Sequence, residues 1–392
     1  MIRLFSFLFL PILFIRCSQD PVSTGYQAIP PIDSIGVLTY DSKTVNNSVR
    51  TSSFFYSSTH ALSDVLSIGK ADGYEASILF RFFGFPDSNA GGGRILSARL
   101  ELCAAPYALG NKNANLSFEI KQIRTLWNAG QVTADSLAKL TTDPQIKGSY
   151  NGTLPDSGKI FLDLDSTMVR EWYTAYRDSQ SIYGMILSPT ASCAAFRSFY
   201  SSEKDSTWQR PTLTLIREMS GKIDTLQIQY EVSATKVVDT YVVTGPAKNT
   251  FSPFFVHGAL AYRGTLWFDV SSIPPNSTIN HVELFVTRNR AASKLNFRAV
   301  DTLIVQEDVD TSTHTTATVG LFSLKKSDDV YSFAGTPLIK AVQEWVNKPS
   351  SNYGLVMSTS YEASDLDYYS LFGAEADTTK RPRFIIRYTK KP

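Results

Sequence analysis

Three carboxylate pairs recur at a spacing of two residues: Asp163-x-Asp165, Asp308-x-Asp310 and Asp365-x-Asp367. On an extended strand that spacing sets both carboxylates on one side, an oxygen-rich edge suited to a hard cation such as calcium. None of the pairs lies in a twelve-residue loop with a central glycine and a closing Glu, so solvated loop charges are the first expectation. No cofactor is expected, structural calcium being the alternative these pairs leave open. A second set of residues has the chemistry for sugar. Trp208 sits in the polar turn EKDSTWQRP, Tyr107 in APYALGNKN, and Tyr361, Tyr368 and Tyr369 cluster around Asp365 and Asp367. An exposed aromatic ring stacks on the apolar face of a pyranose while polar side chains around it bind the hydroxyls. Packing over a loop is the competing role for each ring.

Signals of catalysis are missing. There is no Gly-x-Ser-x-Gly elbow, no His-Glu-x-x-His, no phosphate loop and no Cys-x-x-Cys pair, and the four histidines share no ligand spacing. The expectation is a protein that is not an enzyme. The formal charge of +2 falls to zero once Arg3 and Arg16 are removed with the leader described next, so no nucleic-acid partner is implied.

Arg3 precedes an apolar run from Leu4 to Ile15, too short for a permanent span and sized like the core of a signal peptide over 1–16. Cys17 follows at once, which resembles the start of a bacterial lipoprotein, where the thiol is acylated; Arg16 departs from the small residue usual before it. Segment 17–37 then reads as a lipidated N-terminus and linker, giving a membrane partner through the lipid anchor. Ser18, in place of an acidic residue, favours the outer membrane of the cell envelope. Export permits a disulfide between Cys103 and Cys193, with two small buried thiols as the alternative.

The elements that must position these residues are announced by repetition. VREW (169–172) returns as VQEW (342–345), and its companions return in the same order: ILFRFFGFP (78–86) as LWFDVSSIP (266–274), ILSARLEL (95–102) as INHVELFV (279–286), LSFEI (116–120) as LNFRA (295–299), YGMIL (183–187) as YGLVM (353–357), and Arg210-Pro211 as Arg381-Pro382. Matched blocks in one order mean duplication. The first copy is longer, and the Gly/Pro/Asp-rich stretch 130–158 reads as a long surface loop. Dense Thr, Ser and Val with 24 Phe and 19 Tyr favour strands. Leu266, Phe268 and Val270 alternate with Trp267 and Asp269, as do Val282, Leu284 and Val286 with their neighbours, the pattern of strands with one buried face. The fold expected is all-β, two tandem antiparallel β-sandwiches of jelly-roll type, each with one short helix at the EW word. Ser166 and Thr336 are the expected helix caps, and Trp172 and Trp345 are expected to plug the two cores.

These blocks resemble the DNRLRE-type domain, a carbohydrate-binding-module-like sandwich related to disaggregatase-associated domains. The second copy, 236–389, carries the pattern nearly whole: DTYVV (239–243), LWFDVSSIP, VELFV, VQEW, NYGLV (352–356) and RPRFII. The first, 38–217, departs from it at Arg81 and Ile182 and lacks the DTYV opening, with 218–235 as linker. The resemblance implies a non-catalytic module that binds polysaccharide or a cell-surface glycan; domains of the type occur in bacterial surface proteins and beside polysaccharide-degrading enzymes, and some are classed as binding acidic polysaccharides. The alternative is a structural or adhesive envelope protein that uses its sandwiches as spacers. Oligomeric state is left open.

Overall fold

The computed structural model describes residues 36–56, 59–85, 94–231, 236–246, 254–296, 302–310, 312, 315–325 and 329–390. Cys17 and the leader lie outside the described residues. The described elements start with β1 (Val37–Asp41), β2 (Val49–Phe55), β3 (Val65–Ala71), β4 (Tyr74–Phe82), β5 (Arg94–Leu109) and β6 (Leu116–Ile123). Helix α1 (Ala134–Leu137) precedes β7 (Thr142–Gly152) and β8 (Lys159–Leu164), and α2 (Ser166–Arg177) precedes β9 (Met185–Pro189) and β10 (Phe196–Tyr200). Then come β11 (Thr212–Met219), β12 (Lys222–Gln229), β13 (Val237–Thr244), β14 (Phe254–His257), β15 (Tyr262–Phe268) and β16 (Thr278–Thr287). The last group is β17 (Thr302–Asp310), β18 (Thr315–Lys325), β19 (Val330–Ala334), α3 (Thr336–Asn347), β20 (Leu355–Thr359), β21 (Tyr368–Leu371) and β22 (Arg383–Thr389).

The strands form two antiparallel systems of 11 strands each, the all-β sandwich architecture expected. One runs β12-β11-β5-β10-β3-β4-β9-β6-β7 with β13 on β4 and β8 on β5. The other runs β1-β22-β16-β19-β18-β17-β20-β15-β14-β21 with β2 on β15. Their pairings correspond: β4–β9–β6–β7 matches β15–β20–β17–β18, and β11–β5–β8 matches β22–β16–β19, so the counterpart of LSFEI on β6 is β17 and not the word that begins at Leu295. Each encloses its own apolar core. Phe80, Leu100, Phe118 and Trp172 meet in the first, and Phe268, Leu284, Trp345 and Phe384 in the second. The alternation read from sequence holds, with Leu266, Phe268, Val270, Val282, Leu284 and Val286 all buried.

The systems do not divide the chain at 218–235. β1 pairs with β22 and β2 with β15, so the N-terminal strands complete the second sandwich. β12 lies in the segment read as a linker and pairs with β11, while β13, which carries the DTYVV word, pairs with β4. The pair β12–β13 thus fills in the first sandwich the places that β1–β2 fill in the second. The first sandwich is contiguous from β3 to β13 and is inserted between β2 and β14 of the second. Backbone pairing explains this: any strand of suitable length meets a sheet edge's hydrogen-bonding requirement, whichever copy it came from.

Other expectations are corrected locally. The stretch 130–158 is no loop, since α1 and β7 occupy most of it; β7 pairs with β6 from Leu116 opposite Gly152 to Ile123 opposite Thr142, and Val132 is buried beside Trp127. Its polar composition suits a strand whose side chains are mostly outside. The cap of α2 is Asp165, which accepts from Thr167 N at 2.8 Å, and Ser166 is already helical. Helix α3 has Gly335 as cap with no side-chain hydrogen bond, and Thr336 stands inside it, with Pro337 in the first turn where its missing N–H costs nothing. Trp172 and Trp345, 2% and 0% exposed, lie in the two cores as expected. The YG words also find a cause. Gly184 and Gly354 adopt φ of +80° and +91°, and a Cβ on them would stand 1.9 Å from Phe80 O and 2.5 Å from Leu266 O.

Candidate functional site between the sandwiches

The two sandwiches meet along a polar seam. His60, on the connection from β2 to β3, sets Nδ1 at 3.0 Å from Tyr241 O and Nε2 at 2.9 Å from Ala259 O, its ring 4.2 Å from that of Tyr241. Tyr241 on β13 donates its hydroxyl to Ala363 O at 2.7 Å, and the Tyr74 hydroxyl lies 3.1 Å from His257 Nε2. Tyr107 on β5 also reaches across, its hydroxyl oxygen accepting from Leu366 N at 2.7 Å and from Asn296 Nδ2 at 2.6 Å. Each contact joins one sandwich to the other or to the connection between them, and the hydrogen bonds among them satisfy polar groups that packing would otherwise strand; burial favours the neutral His60 ring, which donates to one of its two carbonyls.

Above this seam opens a cavity of about 230 Å³. The first sandwich and its approach supply Asp64, Tyr107, Tyr200 and Lys204, and the turn between β20 and β21 supplies Tyr361 and Asp365. Ser364 Oγ donates to Asp64 Oδ1 at 3.3 Å across the join, and Lys204 Nζ stands 3.6 Å from Asp64 Oδ2. Lys204 Nζ is also 5.1 Å from the Tyr200 ring centroid. Asp365 is pushed well above the usual carboxylate range, first by burial and then by the neighbouring Asp367 carboxylate. Burial, then Asp367 and Asp365, push the Tyr107 hydroxyl well above its ordinary value, so it stays a neutral phenol.

Of the five rings expected to meet sugar, the structure gathers two here. Tyr107 forms a wall and Tyr361, 45% exposed, the rim. Trp208 is 56% exposed but lies on a separate short turn, Thr207–Gln209, which does not line this cavity. Tyr368 is partly buried with its ring 5.3 Å from Phe255 and 5.5 Å from His257. Tyr369 leaves the set: it is 1% exposed in the second core, its ring 6.3 Å from that of Tyr331, because successive residues of β21 face opposite ways. Asp64, Tyr200 and Lys204 are not legible as site residues in the sequence, since they lie just before β3, at the end of β10 and in the turn after it, and come to line one recess with Tyr361 and Asp365 only where the copies pack.

The other carboxylate pairs serve local structure. Asp163 meets Arg99 at 3.0 Å, Asp165 caps α2, and Asp308 is buried and accepts from Asp310 N at 3.1 Å. Among the described residues no group of three or more His, Cys, Asp or Glu is placed to hold a metal ion. Cys103 and Cys193 are free buried thiols rather than a disulfide: Cys193 Sγ points to Ala195 O at 3.3 Å, and Cys103 lies on β5 opposite Lys159.

No family model and no curated protein matches the chain. Among solved structures, a similar one is the N-terminal CBM22-1–CBM22-2 tandem domain of Xyn10C from Paenibacillus barcinonensis, with 10% identity over 84% of this chain and 98% of that one. Its TM-score of 0.15 is too low to carry an argument about fold or function.

Proposed function

We propose that this is a non-catalytic glycan-binding protein of the bacterial cell envelope, exported and anchored by a lipid on Cys17, with the cavity between its sandwiches as the sugar site. The observation that carries the reading is that three tyrosines, two aspartates and a lysine from both sandwiches converge on one recess. Rings and hydrogen-bonding heads in one place are what a pyranose needs, an apolar face to stack on and partners for its hydroxyls. At ~30 Å³ per water the recess holds roughly seven or eight waters, the scale of one sugar ring. It suits a chain end or a side branch better than the middle of a polymer. The DNRLRE-type resemblance points the same way, and Trp208 offers a second exposed ring elsewhere on the first sandwich.

A glycan array probed with residues 20–392 tests this. Reproducible binding lost in Tyr361→Ala is expected; silence across neutral, acidic and basic glycans would favour a spacer role. Binding that depends on Trp208 and not Tyr361 would move the site off the seam. Incubation with the bound polymer should release no new reducing ends, and labelling with a palmitate analogue should disappear in Cys17→Ala.

A further inference from the structure

The charge of the recess says more than its shape. Two carboxyls, Asp64 and Asp365, stand on its walls with Asp367 directly behind, against a single ammonium, Lys204, which is already engaged with Asp64 and the Tyr200 ring. Arg263 adds no free charge nearby, since it holds Glu362 through two bonds of 2.8 and 2.7 Å. Asp365 Oδ1 accepts from Asp367 N at 3.3 Å, while Oδ2 has no hydrogen-bond partner among the described residues. An oxygen of a partly buried carboxyl therefore faces the open volume, between tyrosine rings.

We propose that the group this recess accepts is a protonated primary amine, so that the glycan recognised carries free amino sugars rather than N-acetylated, neutral or uronic acid units. The inference rests on the glycan reading of the same cavity. An ammonium beside Asp365 pairs with the open oxygen, offsets the repulsion from Asp367, and has π faces of tyrosine to lie against. A uronate would bring an anion to a wall lined by carboxyls with nothing positive to pair with Asp365, and N-acetylation removes the positive charge that such a pair needs. A metal cation would need several oxygen ligands converging, which the described residues do not offer. An amine needs one carboxylate and a shaped pocket. The proton balance is defined: burial and Asp367 push the Asp365 carboxyl towards its protonated form, so when R–NH3⁺ pairs with it the proton that the carboxyl carries leaves to solvent. The groups that face this exchange are Asp64, Lys204, Asp367 and the tyrosines at 107, 200 and 361.

The test is isothermal titration of the full chain with glucosamine oligomers, N-acetylglucosamine oligomers and glucuronate-containing oligomers, each in two buffers of different ionisation enthalpy. The free-amine oligomer should bind at least about tenfold tighter than its N-acetylated counterpart, with net proton release to the buffer. Asp365→Asn, which keeps an acceptor for Asp367 N, should lose both the preference and the release while retaining the wild-type melting temperature. Equal affinity for free and acetylated oligomers, an absence of proton release, or a preference unchanged in Asp365→Asn overturns the inference. Should Asp365→Asn fail to fold, the wild-type comparison of the three oligomers still decides. Tyr361-dependent binding of a neutral or acidic glycan sinks the amine and leaves the glycan site standing; no binding of any glycan sinks both.

Discussion

Asp239, the first residue of the DTYVV word, is a sensitive probe of how the first sandwich is completed. It is 4% exposed on β13, opposite Phe80 of β4, with Ser202 N donating to Oδ2 at 2.8 Å and Ser202 Oγ to Oδ1 at 3.0 Å. Burial pushes its carboxyl from the ordinary 3.8 up to about 7, against the two Ser202 bonds, which act to lower it. The folded protein therefore holds a proton that the unfolded chain has lost. Stability from this group is full below about pH 4, falls as pH rises towards about 7, and is flat above that. About three pKa units at 1.36 kcal/mol each give a total of about 4 kcal/mol, a large part of a usual domain stability. Asp239→Asn removes the titration and keeps the shape: the amide oxygen accepts from Ser202 N and the NH2 donates to Ser202 Oγ. Urea unfolding at about pH 4.5 and about pH 8 should show wild type losing about 3 kcal/mol more than Asp239→Asn over that interval. A gap between the two proteins that stays constant with pH would mean that Asp239 is charged in the fold, and the reasoning from burial would fail.

Trp172→Ala and Trp345→Ala should each cost about 3 to 5 kcal/mol, read by the same urea method, because each empties the centre of a core. Gly184→Ala and Gly354→Ala should each cost about 2 kcal/mol or more in thermal melts, since both combine a positive φ with a backbone carbonyl in the way of a Cβ. The interleaved strands predict how fragments behave: residues 59–246 should unfold cooperatively alone, whereas 254–390 should remain poorly structured by circular dichroism until a peptide of residues 36–56 is added.

How much of this is legible in the sequence follows from the range of the signals. Within a copy, the words that repeat are those whose roles are local and strict. Gly184 and Gly354 tolerate no side chain, Trp172 and Trp345 fill one site each, and the alternation in LWFDV and HVELFV sets faces residue by residue, so doubled sandwiches can be read directly. The helix caps mislead because Asp165 and Gly335 sit one residue before the side chains that look suitable, and β7 because a strand with most of its side chains outside carries little hydrophobic pattern.

The strand exchange and the site share one cause for being hidden. β1–β2 and β12–β13 occupy equivalent places, and each consists of short stretches that pair through backbone, so nothing in VLTYD or VVDTYVVT states which copy's edge it will join. Yet that choice ties the copies together: with β2 in the second sandwich and β3 in the first, the connection carrying His60, Ser63 and Asp64 is forced to cross the seam, and Asp64 arrives at the wall facing Asp365. The carboxyls that line the recess are far apart in sequence and come from opposite copies. A chain whose sandwiches each kept their own opening strands would have both folds and no such crossing, which makes the interleaving itself the origin of the site.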